Sequence, residues 1–116
     1  DPGVLDFSLS VLEHLGYQVI TAASGEEALR LAEGHLTEIH LLLTDVIMPG
    51  MNGRMLADRL MLMRPSLRVL FTSGYTENVI VHHGVLEEGI NFLSKPFTAQ
   101  SLARKVREVL DGEPRL

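Results

Sequence analysis

The sequence predicts an α/β domain built on a parallel sheet with helices on both faces. Three observations carry this. Helical and extended patterns alternate along the 116 residues. The extended segments are short and apolar, as strands covered on both faces must be. Polar residues able to do chemistry stand where several of those strands end, which is where ligands collect in such sheets.

The elements follow in order. Residues 1–15 repeat apolar side chains at helical spacing: Val4, Phe7, Val11 and Leu15, with Leu5 and Leu12 beside them. Asp1 and Pro2 suit an N-cap and first helical position, and Gly16 suits the C-terminal stop. Residues 17–22 read as a short strand centred on Val19 and Ile20. Ser24 and Glu27 have the spacing of a capping box, ahead of a helix expected to bury Ala28, Leu31 and Ala32.

Residues 40–44, with Leu41, Leu42 and Leu43 in succession, read as a central strand. A turn-rich stretch from Gly50 to Gly53 leads to a helix marked by Leu56, Leu60 and Met63 and ended by Pro65. Residues 67–72 form the next apolar strand. A weakly patterned helix from Glu77 to about Val85 is broken up by Gly84 and Gly89, and residues 90–94 form another strand. Thr98 caps a last helix with Leu102, Val106, Val109 and Leu110 inward. The domain is expected to span 1–110, with 111–116 as a linker or tail. The order is αβαβαβαβα, with right-handed crossovers.

Composition narrows the functional classes. Cysteine is absent, which removes disulfides, thiolate zinc sites and cysteine nucleophiles, and fits a cytoplasmic setting. The net charge is −5 and the basic residues are scattered, apart from a few on the last helix, so no nucleic-acid partner is expected. No apolar run is long enough for a membrane span. The five histidines show no zinc spacing.

Three strand-end residues remain as candidates. Asp45 follows the strand 40–44. Its position alone fits an ordinary turn or N-cap aspartate, but the loop after it, Met48-Pro49-Gly50-Met51-Asn52-Gly53, lets backbone approach a ligand closely. Ser73 precedes Gly74; it is either a plain turn or a hydroxyl placed to bind an oxyanion. Lys95 is either an exposed loop lysine or an ammonium paired first with Asp45 and then with a phosphoryl oxygen. The Lys95-Pro96 bond is a candidate cis peptide. A carboxylate nucleophile, a hydroxyl, a lysine and a divalent cation are a sufficient set for phosphoryl transfer.

These segments resemble a known family. Leu42-Leu43-Thr44-Asp45-Val46-Ile47-Met48-Pro49-Gly50-Met51-Asn52-Gly53 is similar to the phosphoacceptor segment of response-regulator receiver domains of two-component signalling. Val69-Leu70-Phe71-Thr72-Ser73-Gly74-Tyr75 and Gly89-Ile90-Asn91-Phe92-Leu93-Ser94-Lys95-Pro96-Phe97 resemble the ends of that family's fourth and fifth strands. The Ser-Gly-Tyr form is similar to receivers attached to hybrid sensor histidine kinases.

The resemblance implies a flavodoxin-like, doubly wound fold of strand order 2-1-3-4-5. It implies that Asp45 accepts a phosphoryl group from a histidine kinase or phosphotransfer domain. Ser73 and Lys95 would hold that group, and Phe92 would be the aromatic switch. Ile47 and Tyr75 would tune dephosphorylation. Asp45 and the backbone carbonyl of Ile47 would be Mg²⁺ ligands. The consequence would be a population shift on the face of the fourth helix, fifth family strand and fifth helix, read by an attached or separate output domain. Such a domain is no conventional enzyme, although it assists its own phosphorylation and dephosphorylation.

One departure is large. The family's first strand, with the two acidic residues after it that help bind Mg²⁺, has no counterpart; Asp1 aligns just beyond that pair. That strand would lie mid-sheet, so its loss exposes two strand edges. Upstream residues or another chain, as in an exchanged dimer, would fill the gap. Mg²⁺ is expected to bind weakly or not at all, since one carboxylate and one carbonyl make a poor site. This departure favours a competing expectation: a receiver-like module that binds partners without phosphorylation. An aspartyl-phosphate phosphatase is disfavoured, because Asp45-Val46-Ile47 lacks the Asp-x-Asp pattern. A nucleotide-binding site is disfavoured by the absence of a Gly-rich lysine loop.

Overall fold

A computed structural model describes residues 2–35, 37–84, 86 and 90–112. Among these described residues five helices and three strands are formed: α1 (Pro2–His14), α2 (Gly25–Gly34), β1 (Leu41–Asp45), α3 (Gly53–Met63), β2 (Arg68–Ser73), α4 (Glu77–His82), β3 (Phe92–Ser94) and α5 (Ala99–Asp111). The sheet is parallel in the order β1-β2-β3. Leu41 pairs with Arg68 and Asp45 with Thr72; Phe71 pairs with Phe92 and Ser73 with Ser94.

Alternation along the strands divides the core into two layers, because successive strand side chains face opposite ways. Val69, Phe71 and Phe92, with Leu42 at the margin, pack with Leu56, Ala57 and Leu60 of α3 and Ala32 of α2. Leu70, with Leu41, Leu43 and Leu93, packs with Leu12 of α1 and Leu102, Val106 and Val109 of α5. Both faces of the sheet are therefore covered, as the continuous apolar strands require.

Caps set the helix starts. Ser24 Oγ accepts from Glu27 N at 3.1 Å, but the Glu27 carboxylate reaches Ala23 N and not Ser24 N, so the box closes one residue early. Asn52 caps α3 through Met55 N, and Thr98 and Ser101 form a reciprocal box at α5. Gly16 has a φ of 95°, the left-handed stop expected after α1. The Arg64 guanidinium donates to the carbonyls of Ala32, His35 and Thr37 at 2.8–3.1 Å and so closes the C-terminal end of α2.

Several expectations need correction. Residues 17–22 are not a strand: they run without ladder partners beside an apolar cleft of about 510 Å³ whose other wall includes Leu41, Leu42 and Leu43 of β1. An extended segment is a strand only when a neighbour takes its backbone groups, and among the described residues β1 pairs with β2 alone. Leu15 is about half exposed and Leu31 and Met63 about two-fifths exposed, so the inward stripe is narrower than the apolar pattern suggested. α4 ends at His82, and α5 continues through Asp111, one residue beyond the expected boundary. The expected N-cap at Asp1, the helix-breaking Gly89, Val85 and the remainder of the tail, 113–116, lie outside the described residues.

Candidate phosphoacceptor site

Asp45 is the last residue of β1, and its backbone is fixed on both sides. It pairs with Thr72 across the ladder, and Val46 N donates to Thr72 O at 2.9 Å. The chain then turns through 46–52 and returns so closely that Gly53 N donates to Val46 O at 2.8 Å. A Cβ built on Gly53 would stand 2.1 Å from Asp45 O, so only glycine fits there. Gly50, with a φ of 75°, supplies the left-handed turn in the same loop. Buried Thr44 donates its hydroxyl to Asp45 O at 3.0 Å.

Lys95 arrives from the end of β3. Its backbone N donates to Ser73 O at 2.9 Å, and a cis bond joins it to Pro96. Its ammonium lies 2.9 Å from Asp45 Oδ1 and 3.0 Å from Oδ2, spanning both carboxylate oxygens. The carboxylate stays reachable: its side chain is 30% exposed and that of Lys95 20%.

The structure brings together Asp45 and Lys95, and adds a residue that sequence reasoning missed. Thr72 Oγ1 donates to Asp45 Oδ1 at 2.5 Å. Strand parity could have found it. Thr72 is the ladder partner of Asp45 and shares its face, while Ser73 is one residue out of phase. Ser73 is buried, and its Oγ accepts from Tyr75 N at 3.0 Å instead of meeting Asp45. Phe92 is buried in the layer with Phe71, Ile80, Leu86 and Ile90. Ile47 and Tyr75 are both more than half exposed, on the loops that follow β1 and β2.

The protein matches the family model described as response regulator receiver domain over residues 1–107. The chain belongs to that family.

This receiver domain is 37% identical over 102 residues to sensor kinase CckA of Brucella abortus, spanning 88% of the chain but only 11% of that kinase. It is 32% identical to the response regulator receiver protein CpdR of the same organism, covering 90% of the chain and 85% of CpdR. Among solved structures, the receiver domain of the hybrid histidine kinase CckA superposes with a TM-score of 0.79 at 36% identity, covering 96% of this chain and 93% of that one. The Vibrio cholerae chemotaxis protein CheY4, 24% identical, gives a TM-score of 0.81 and covers 94% and 91%, which speaks for the fold alone. The flavodoxin-like α/β class is thereby established. No helix among the described residues is long and apolar enough to cross a membrane.

Receiver domains generally bind Mg²⁺ at the phosphorylation site. The described residues of this receiver do not fit that ion. They contain no group of three His, Cys, Asp or Glu side chains able to hold a metal. Asp45 supplies one carboxylate, already engaged by Lys95, where the ion prefers six oxygen ligands. His82 and His83 touch edge to face without further ligands around them.

Proposed function

We propose that this receiver accepts a phosphoryl group on Asp45 from a phosphohistidine of a kinase or phosphotransfer protein. The observation that carries the reading is the Lys95 ammonium held on both oxygens of a reachable strand-end carboxylate. In the transfer an Asp45 oxygen attacks phosphorus, the P–N bond breaks, and its electron pair returns to the imidazole, which takes up a proton. The carboxylate's negative charge passes formally to the departing imidazole, where the proton neutralises it, while the phosphoryl oxygens bring their own charge to Asp45 and are met there by the Lys95 ammonium.

Ser73 accepts from Tyr75 N and so keeps its own proton to donate to a phosphoryl oxygen. Turning toward Asp45 loosens its hold on Tyr75, two residues before α4 begins. Phe92 shares a packed layer with Ile80 of α4, so a shift of α4 reaches the α4–β3–α5 face, where an output partner would read it. Ile47 and Tyr75, exposed on the loops that follow β1 and β2, would set how readily water reaches the phosphoryl group.

The test is phosphorylation of the full-length protein by an autophosphorylated histidine kinase and by acetyl phosphate, with Mg²⁺ present. Transfer should occur to the wild type and be lost in Asp45→Asn. Equal labelling of both proteins would refute the reading. A second reading, partner binding without phosphorylation, is favoured by the lack of an acidic cluster among the described residues. It predicts that Asp45→Asn leaves partner affinity and signalling unchanged.

A further inference from the structure

We infer that Thr72 shortens the lifetime of the phosphoryl group on Asp45, an inference that rests on Asp45 being the acceptor. The two carboxylate oxygens are not equivalent. Oδ1 accepts from Thr72 Oγ1 at 2.5 Å and lies 2.9 Å from Lys95 Nζ, whereas among the described residues Oδ2 meets only Lys95 Nζ, at 3.0 Å. Oδ2 is therefore the oxygen free to attack phosphorus, and Oδ1 becomes the carbonyl oxygen of the acyl phosphate.

Thr72 has little freedom to leave Oδ1. It is 4% exposed, its residue faces Asp45 across the ladder, and its carbonyl is tied to Val46 N. A hydroxyl held this way donates more strongly to a carboxylate than to the neutral carbonyl of an acyl phosphate. It thus stabilises the unphosphorylated form and any transition state in which the carboxylate is re-forming. During hydrolysis, water attacks phosphorus and the P–Oδ2 bond breaks. The electron pair stays on the Asp45 carboxylate, and the proton from water goes to solvent with the released phosphate. Charge spreads onto Oδ1, where Thr72 waits, so Thr72 assists the leaving group. It is a positioning residue: it touches neither phosphorus nor the attacking water.

The experiment charges full-length wild type, Thr72→Val and Thr72→Ser with acetyl phosphate. The donor is then removed, and loss of the phosphoryl group is followed by intact mass. Valine keeps the shape without the hydroxyl, and serine restores the hydroxyl. The expected result is decay about fivefold slower in Thr72→Val, with Thr72→Ser within about twofold of wild type. A merely structural role would lower the melting temperature without lengthening the lifetime. Decay of Thr72→Val at or above the wild-type rate would overturn the inference while leaving Asp45 as acceptor. A wild type that takes up no phosphoryl group would overturn both. Should valine prevent folding, Thr72→Ala carries the same comparison.

Discussion

Lys95 and Asp45, fifty residues apart in sequence, form a single ion pair in which one ammonium spans both carboxylate oxygens at 2.9 and 3.0 Å. Removing that ammonium leaves a partly covered carboxylate without its main counter-charge. Lys95→Met is expected to slow phosphorylation by acetyl phosphate at least tenfold, since the same group would meet the transferred phosphoryl oxygens. Stability should change by only about 1 kcal/mol, because the pair is not fully buried. Phosphorylation kinetics and urea unfolding on one preparation separate the two effects.

Gly53 offers a test of how the loop positions the site. A methyl group there would meet Asp45 O at 2.1 Å, against backbone that cannot rotate away. Gly53→Ala is expected to destabilise the domain by about 1–3 kcal/mol and to impair phosphorylation, because relief requires moving either β1 or α3. Urea midpoints, and the Asp45 backbone resonance in an NMR spectrum, would check this.

Phe71 sits at the centre of the sheet, fully buried in the layer under α2 and α3. Phe71→Ala should cost about 3–5 kcal/mol, enough to unfold a marginal domain at ambient temperature. A thermal melt close to wild type would show that this layer is less densely packed than described.

The unpaired course of residues 17–22 gives a dynamic prediction. Amides 18–22 have no ladder partners among the described residues, whereas β2 is paired on both sides. Hydrogen exchange of this 116-residue chain should therefore show fast exchange at 18–22 and the strongest protection in β2. Strong protection at 18–22 would mean that another strand occupies the cleft beside β1.

The legible part of this molecule was periodic or tied to a loop motif. Leu41 to Leu43 announced a buried strand, Ser24 and Thr98 announced caps, and the residues around Asp45 announced the site. What was not legible depended on neighbours. Residues 17–22 have strand composition but no partner, and composition cannot report pairing. Thr72 looked like one more residue of an apolar strand; only its register against Asp45 gives its hydroxyl a role. Leu31 and Met63 lie on helical faces whose width is set by packing, so their exposure could not be read from spacing.

The most direct measurement is peptide-level mapping of the acyl phosphate. The full-length protein is charged with acetyl phosphate, reduced with borohydride, digested and sequenced by mass spectrometry. The reduced residue is expected at position 45 and nowhere else, with the signal abolished in Asp45→Asn. A modification at another carboxylate, or none at Asp45 while the protein remains folded, would contradict it.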